Sequence, residues 1–298
     1  MKFDLVHDAN VELAETPIWD NRNKCLYWTE MLAGNIFEYN PATKAEQKWP
    51  TGKIIASAVP SENPNELFVA NIDGMHIMDK ATGELTLLCA PEPGNGKNFH
   101  NDTRIDCRGR IFTSSVALSY LTPDYNPGET GSFYQIGRDG KIKKLLDKVQ
   151  QLNCMVWNLD NTRMWVADTY NKKLLEWDYT PEDGAAGNCR VVLDFAGKQE
   201  SPDGMALDSE GNLYICHWSG TISVWDNNLK WKEDIPFPVQ QVCACGFGGE
   251  DMKDFYVTTA RYGYTEGQLK DRRGAGGIFM AHSPIPGLPS FFYKGELQ

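Results

Sequence analysis

Residues 25–28 of the chain read Cys25-Leu26-Tyr27-Trp28, and they follow the turn formers Asp20 and Asn21. A short apolar and aromatic run after a turn is typical of a β-strand that is entered from a hairpin. Similar runs recur at intervals of roughly forty to fifty residues, which predicts a repeat architecture. These further runs are residues 66–69, 110–113, 163–166, 212–215 and 254–257.

Each of these runs is followed by a second apolar strand, and the hairpin turns after several of them lead into a further strand such as residues 142–146. The second strands are residues 36–39, 75–78, 132–135, 174–177, 222–225 and 276–279. This pattern predicts an all-β, six-bladed β-propeller with four-stranded antiparallel blades around a central channel. The alternative, a pair of β-sandwiches, conflicts with the unbroken period. The chain contains no obvious linker, so we expect residues 1–298 to form one domain.

The chain has 29 basic and 40 acidic residues, which gives a formal net charge of −11. Such a balance disfavours nucleic acid or an anionic membrane as a partner and leaves a small neutral or weakly charged ligand. Residues 1–8 carry acids where a signal peptide would need apolar residues, and no run of about eighteen apolar residues occurs. We therefore expect a cytoplasmic protein, either a monomer or a small homo-oligomer.

Single oxygen-bearing side chains occupy equivalent positions in three of the turns between units. They are Glu15, Asn153 and Asp203, and Asn101 lies in a fourth equivalent segment. Loops at one end of a propeller converge on the channel, so these side chains could share a site. Two carboxylates and an amide oxygen suit calcium, magnesium or manganese, with zinc as a further candidate. The alternative interpretation is that each side chain only caps a turn.

Several motifs of the chain resemble a family of sugar lactonases that includes gluconolactonase, regucalcin (senescence marker protein) and the luciferin-regenerating enzyme. The resemblance runs in the family's order from about residue 10 to about residue 280. It is carried by Glu15-Thr16-Pro17-Ile18-Trp19, Asn101-Asp102, Asn153, Pro202-Asp203-Gly204-Met205, Cys245-Gly246-Phe247-Gly248-Gly249 and Ala275-Gly276-Gly277-Ile278-Phe279.

The resemblance implies a propeller that holds one divalent cation, with calcium favoured, through Glu15, Asn153 and Asp203. It also implies a metal-dependent carboxylic-ester hydrolase that opens a sugar-acid (aldono) lactone to the free acid, as gluconolactonase does. Asp203 would be both a metal ligand and the catalytic general base. The partner would then be a small lactone substrate.

The chain departs from the family pattern beside Asn101. Family members commonly place an arginine that contacts the sugar two residues before the Asn-Asp pair, and this chain has Phe99 there, followed by His100. We expect Phe99, His100, Asn101 and Asp102 to contact the substrate, in a pocket that is less polar than usual. The alternative function is a non-catalytic metal-binding propeller that binds a ligand or a partner protein.

Overall fold

The computed structural model describes residues 1–123, 125–198 and 200–295. Within these residues the strands form six four-stranded antiparallel sheets, the blades of a β-propeller. Blade one contains β2 (Ala14–Asp20), β3 (Cys25–Glu30), β4 (Asn35–Tyr39) and β5 (Glu46–Pro50). Blade two contains β6 (Ile55–Pro60), β7 (Glu66–Asn71), β8 (Gly74–Asp79) and β9 (Leu85–Cys89). Blade three contains β10 (Asn98–Ile105), β11 (Ile111–Ala117), β12 (Gly131–Ile136) and β13 (Ile142–Val149).

The remaining blades follow the same plan until the last one. Blade four contains β14 (Leu152–Trp157), β15 (Arg163–Asp168), β16 (Lys173–Thr180) and β17 (Ala185–Asp194). Blade five contains β18 (Pro202–Leu207), β19 (Leu213–His217), β20 (Thr221–Trp225) and β21 (Trp231–Pro236). Blade six contains β22 (Val242–Gly248), β23 (Asp254–Thr259), β24 (Ile278–His282) and, as its outermost strand, β1 (Asp4–His7). The predicted fold is therefore confirmed.

Blade six closes the ring because it combines both ends of the chain. β1 pairs antiparallel with β24, with Asp4 opposite Met280 and Leu5 opposite Phe279. Phe3, just before β1, is buried with its ring centroid 4.5 Å from that of Phe237. The amino-terminal segment thus contributes both backbone hydrogen bonds and apolar contacts to the last blade.

The apolar core is divided among the wedges between neighbouring blades. Each of six buried clusters takes its side chains mainly from two adjacent blades, such as blades one and six or blades three and four. Between blades one and six, for example, Trp19 stacks on Tyr256 at a centroid distance of 5.9 Å. Large aromatic residues in the second strand of each blade, such as Trp28 of β3, Phe68 of β7 and Trp165 of β15, explain the sequence period, because each one fills a wedge.

Aspartate and asparagine side chains fix the hairpins between the first and second strands of several blades. The Asp106 carboxylate accepts hydrogen bonds from the backbone N–H groups of Arg108 and Arg110 at 2.9 and 2.8 Å. Asp208 accepts the corresponding bonds from Glu210 and Asn212. These contacts confirm that the turn formers mark hairpin entries.

Helices are short in the described part of the chain. A 3₁₀ helix spans Leu118–Leu121, and an α-helix spans Glu266–Leu269 with Thr265 as its amino-terminal cap. Neither helix is long and apolar enough to cross a membrane.

His217, at the end of β19, is fully buried inside blade five. Its Nε2 atom lies 2.7 Å from Ser223 Oγ, and its ring edge contacts Phe195 at a centroid distance of 5.4 Å. Burial lowers the pKa of His217 from its ordinary value of 6.5 to about 4. The imidazole is therefore neutral in the folded protein at pH 7.

We predict that Phe3→Ala lowers the free energy of unfolding by about 3 kcal/mol, because it leaves a cavity where β1 joins blade six. Urea denaturation followed by tryptophan fluorescence measures this change. Phe291→Ala is the matched control, since Phe291 is 36% exposed and outside the closing sheet. Equal losses in the two variants would show that the amino-terminal segment contributes nothing special to closure.

We also predict that stability falls as the pH is lowered from about 6.5 towards 4, in part because of His217. The unfolded chain binds a proton at this histidine below about pH 6.5, and the folded chain does so only near pH 4. His217→Gln should weaken this dependence. Unfolding free energies measured between pH 4 and 8 test the prediction, and an unchanged acid slope in the variant would contradict it.

Candidate metal centre and substrate cavity

The innermost strands of all six blades share one irregularity near their amino-terminal ends. In each of them the pairing register with the second strand shifts within the first few residues. The shifts fall between Glu15 and Ile18, Ile55 and Ser57, His100 and Thr103, Leu152 and Met155, Pro202 and Met205, and Val242 and Ala244. Such β-bulges re-aim side chains, and here they recur at one level of the channel.

The three predicted metal ligands lie at these shifts. Glu15, Asn153 and Asp203 are each the second residue of an innermost strand, not turn residues as the sequence suggested. The residue after Glu15, Thr16, has a φ of 52°, which is rare for a β-branched residue and belongs to the local distortion. A polar side chain can occupy these strands because the bulge turns it towards the channel.

Asp203 is buried and held by its neighbours. Its Oδ2 atom accepts a hydrogen bond from the indole N–H of Trp218, and its Oδ1 atom receives none from the described residues. The next position requires glycine, because a Cβ atom on residue Gly204 would lie 2.3 Å from the Cα atom of Ala244 in blade six. In this pair Asp203 supplies the carboxylate, and Gly204 allows the innermost strands of blades five and six to pack closely.

Two asparagines connect blades three and four beside the carboxylates. Asn101 Nδ2 donates to Leu152 O at 3.0 Å and to Asn153 Oδ1. Asn153 Nδ2 donates to Thr169 Oγ1 at 2.7 Å. This network fixes the Asn153 amide and leaves its Oδ1 atom with a second lone pair for another partner.

Glu15, Asn101, Asn153 and Asp203 all line one cavity, of about 70 Å³, at this end of the channel. We call it the site cavity. Gln151 adds a further amide, and the rest of the wall is formed mainly by apolar and aromatic side chains. A larger cavity of about 240 Å³ lies further along the same strands and is lined by later residues such as Ile18, Arg104 and Met205.

Two segments meet over the site cavity. The 3₁₀ helix brings Tyr120 and Leu121 from blade three, and Tyr262 follows β23 of blade six. The Tyr262 hydroxyl donates a hydrogen bond to Leu121 O at 2.9 Å. This bond joins segments from opposite sides of the ring at the cavity mouth.

Below the site cavity, Asp102 forms a buried ion pair with Arg104. The Asp102 Oδ1 atom also accepts a hydrogen bond from Ser57 Oγ at 3.4 Å, and Arg104 donates to Cys154 Sγ at 3.3 Å. Electrostatic interactions connect this pair with both Glu15 and Asp203. Three carboxylates and one guanidinium leave an excess of two negative charges when all are ionised.

Both carboxyl groups that line the site cavity have raised pKa values. Burial raises the pKa of Asp203 to about 8, against the opposing effect of the Trp218 hydrogen bond. Burial raises the pKa of Glu15 well above its usual range, and the neighbouring Asp203 charge raises it further. Desolvation is thus the main cause of both shifts, and nearby negative charge adds to each, from Asp203 at Glu15 and from Asp102 at Asp203.

The residues present fit a hard divalent cation. Two carboxylates and one amide oxygen line the cavity, and two positive charges would neutralise the local excess. Among the described residues, no cluster of three or more histidine, cysteine, aspartate or glutamate side chains is arranged to hold a metal. A cation in the site cavity would therefore need an amide oxygen, such as that of Asn153, in addition to the carboxylates of Glu15 and Asp203.

The other predicted substrate contacts divide into two groups. Phe99 and Asn101 line the site cavity. His100 and Asp102 are not part of its lining: His100 is buried beside Thr113, and Asp102 pairs with Arg104. Burial lowers the pKa of His100 to about 4, so this histidine is a neutral interior residue. The structure therefore gives no geometric support to substrate contact by His100 or Asp102.

Sequence reasoning did not identify Trp218, Tyr262 or Gln151, although all three line the cavity. Trp218 follows β19 and Tyr262 follows β23, so they reach the site from blades five and six. No motif marks them, because their role follows only from the closure of the ring. Trp218 directly follows His217, the last residue of β19, and this place at the end of a strand is the one local feature that could have suggested a position near the channel.

Comparison with known proteins supports the sequence resemblance. Residues 13–261 match the profile of the SMP-30/Gluconolactonase/LRE-like region. The Bacillus subtilis (strain 168) protein YvrE, named as a candidate sugar lactone lactonase, is 26% identical over 292 residues. The aligned region covers 97% of this chain and 98% of YvrE. Regucalcin from Oryctolagus cuniculus is 26% identical over 302 residues, with 99% of both chains covered.

A solved structure shares the fold. Regucalcin from Agrobacterium tumefaciens, described as a calcium-binding protein, has a TM-score of 0.91 at 22% identity, covering 98% of this chain and 97% of its own. At this level of identity the likeness concerns the architecture. The profile match covers far more than half of the sequence, and the chain therefore belongs to the SMP-30/gluconolactonase/LRE-like family.

Proposed function

We propose that the protein is a divalent-metal-dependent lactonase that hydrolyses a cyclic ester to the free hydroxy acid. The observation that carries this proposal is the site cavity, where the partly buried Glu15, the buried Asp203 and an amide oxygen meet beside an excess of two negative charges. The name of the Bacillus relative supports a lactone as the substrate, and the resemblance points to an aldonolactone. Calcium is the favoured cation, in agreement with the description of the Agrobacterium relative.

Glu15, Asn153 and Asp203 are the residues that would hold the cation. When bound there, a divalent ion supplies Lewis-acid polarisation of the lactone carbonyl oxygen. Asn153 is fixed by Asn101 and Thr169, so its amide oxygen needs little reorganisation before it binds a ligand. Trp218 fixes Asp203 in the same way.

Asp203 is also the proposed general base. Its Oδ1 atom, which accepts no hydrogen bond from the described residues, can take a proton from the attacking water. The water oxygen forms a bond with the carbonyl carbon, and the ring C–O bond then breaks. The proton on Asp203 passes to the departing ring oxygen, which becomes the hydroxyl of the product. The reaction consumes one water and needs no other reactant.

The second candidate function uses the same residues without turnover. A propeller that only binds calcium would also need the two carboxylates, and the description of the Agrobacterium relative favours this alternative. The two functions differ in one measurable respect, which is hydrolysis by the metal-loaded protein.

We predict that one equivalent of calcium raises the melting temperature of chelator-treated protein, because the cation removes repulsion between Glu15 and Asp203. Glu15→Gln and Asp203→Asn should lose most of this increase. Glu250→Gln is the matched control, since the Glu250 side chain is 89% exposed on the surface. Differential scanning calorimetry and isothermal titration provide the readouts. Equal calcium-induced shifts in all variants would place the cation elsewhere.

We predict that Asp203→Asn lowers kcat for lactone hydrolysis by at least about 1,000-fold, because it removes the general base. The substitution keeps the side-chain volume, so the metal-free variant should melt at or above the wild-type temperature. The pH-stat assay uses D-glucono-1,5-lactone and a panel of other lactones, with Glu250→Gln as the control. Near wild-type rates in Asp203→Asn would rule out the mechanism, whereas stoichiometric calcium binding without hydrolysis of any lactone would support the binding function.

A further inference from the structure

Apart from the proposed metal ligands and the amides of Asn101 and Gln151, the wall of the site cavity is apolar and aromatic. It is formed by Leu13, Met31, Phe99, Tyr120, Leu121 and Tyr262, and the Trp218 ring adds to it. Leu13, Met31 and Phe99 belong to one buried apolar cluster, against which the other four side chains pack. Among the described residues, the cavity lining contains no lysine, arginine or histidine.

Most polar groups of the lining are already engaged by protein partners. The Tyr262 hydroxyl donates to Leu121 O, and the Trp218 indole N–H donates to Asp203. The side-chain amides of Asn101 and Asn153 donate to Leu152 O, Asn153 Oδ1 and Thr169 Oγ1. Among the described residues, the donors of the lining that remain without a protein partner are the Tyr120 hydroxyl and the Gln151 side-chain NH2 group.

Gln151 is the exception among the amides. Its Oε1 atom is buried and accepts no hydrogen bond from the residues that the structure describes. The polar part of the cavity thus offers a substrate the Gln151 amide, the Tyr120 hydroxyl and the Asn101 amide oxygen, besides the oxygens of the proposed metal ligands. The rest of the wall offers no hydrogen bond from its aliphatic and phenylalanine side chains, which are Leu13, Met31, Phe99 and Leu121. This distribution suits a molecule whose polar atoms lie on one side, because hydroxyl groups buried against the apolar wall would be left without a partner.

We infer that the preferred substrate is a lactone whose ring carries hydrocarbon where an aldonolactone carries hydroxyl groups. This inference rests on the proposed lactonase function and adds the substrate class. The ester group faces Glu15, Asn153 and Asp203, and the hydrocarbon faces the wall that contains Phe99 and Met31. An aldonolactone has a hydroxyl on nearly every ring carbon, and burying these against the wall costs binding energy without a compensating bond.

The test compares two lactones of equal ring size. The calcium-loaded wild-type protein hydrolyses δ-hexalactone, which carries a methyl group, and D-glucono-1,5-lactone, which carries hydroxyls. Each kcat/KM value is divided by the spontaneous hydrolysis rate constant of the same lactone. We expect the normalised value for δ-hexalactone to be at least about tenfold higher, since discrimination at an apolar wall is of this order.

Two variants place a polar group in the wall. Leu121→Asn changes a partly exposed residue at the mouth, and Phe99→Gln changes a buried one. Each should shift the normalised preference towards D-glucono-1,5-lactone by about tenfold. Leu87→Asn is the control with an unchanged preference, because Leu87 lies on the outer strand β9 and is 54% exposed. Thermal unfolding verifies that each variant is folded, and Leu121→Asn maintains the test if Phe99→Gln is not.

Three outcomes are informative. Preference for δ-hexalactone, together with the shift in Leu121→Asn, supports the inference. Preference of the wild type for D-glucono-1,5-lactone overturns the substrate class and leaves the lactonase function in place. Absence of hydrolysis for both compounds and for the wider lactone panel overturns the proposed function, and the inference with it.

Discussion

Closure of the ring by β1 is the constraint on which the other features depend. Without β1, blade six would have three strands instead of four, and backbone groups of β24 would be left unpaired. Closure also fixes the six innermost strands side by side around the channel. Only then do Glu15 of blade one and Asp203 of blade five face the same cavity. The chemistry of the site is thus a consequence of a contact made near the two ends of the chain.

The repeated register shift converts this scaffold into a site. All six innermost strands have the shift, but only some of them carry a polar side chain there. At the corresponding positions, blade two has Ala56 and blade six has Cys243, both buried. The repeat therefore provides a ring of equivalent positions, and the sequence of each blade decides which positions carry oxygen atoms. This division explains how a symmetric fold can hold an asymmetric centre.

The sequence was sufficient for the blades, because aromatic residues such as Trp28 and Trp165 recur with the period of the wedges that they fill. It also indicated that Glu15, Asn153 and Asp203 are equivalent, although their roles stay predictions. It misplaced them in turns, because alternation rules do not anticipate a bulge. For the same reason, adjacency to Asn101 did not reveal that His100 and Asp102 have other surroundings. Trp218 and Tyr262 could not be found, since ring closure alone brings them to the cavity.

The charge of the buried group around Asp102 and Arg104 has a consequence for the choice of ion. If Asp102 and Arg104 neutralise each other, Glu15 and Asp203 remain as a pair of uncompensated charges. A sodium or potassium ion would leave half of this charge in a desolvated channel, and a trivalent ion would overcompensate it. The centre would thus discriminate among ions by valence, before size or ligand type is considered. The ion pair below the cavity would in this way set the valence of the ion above it.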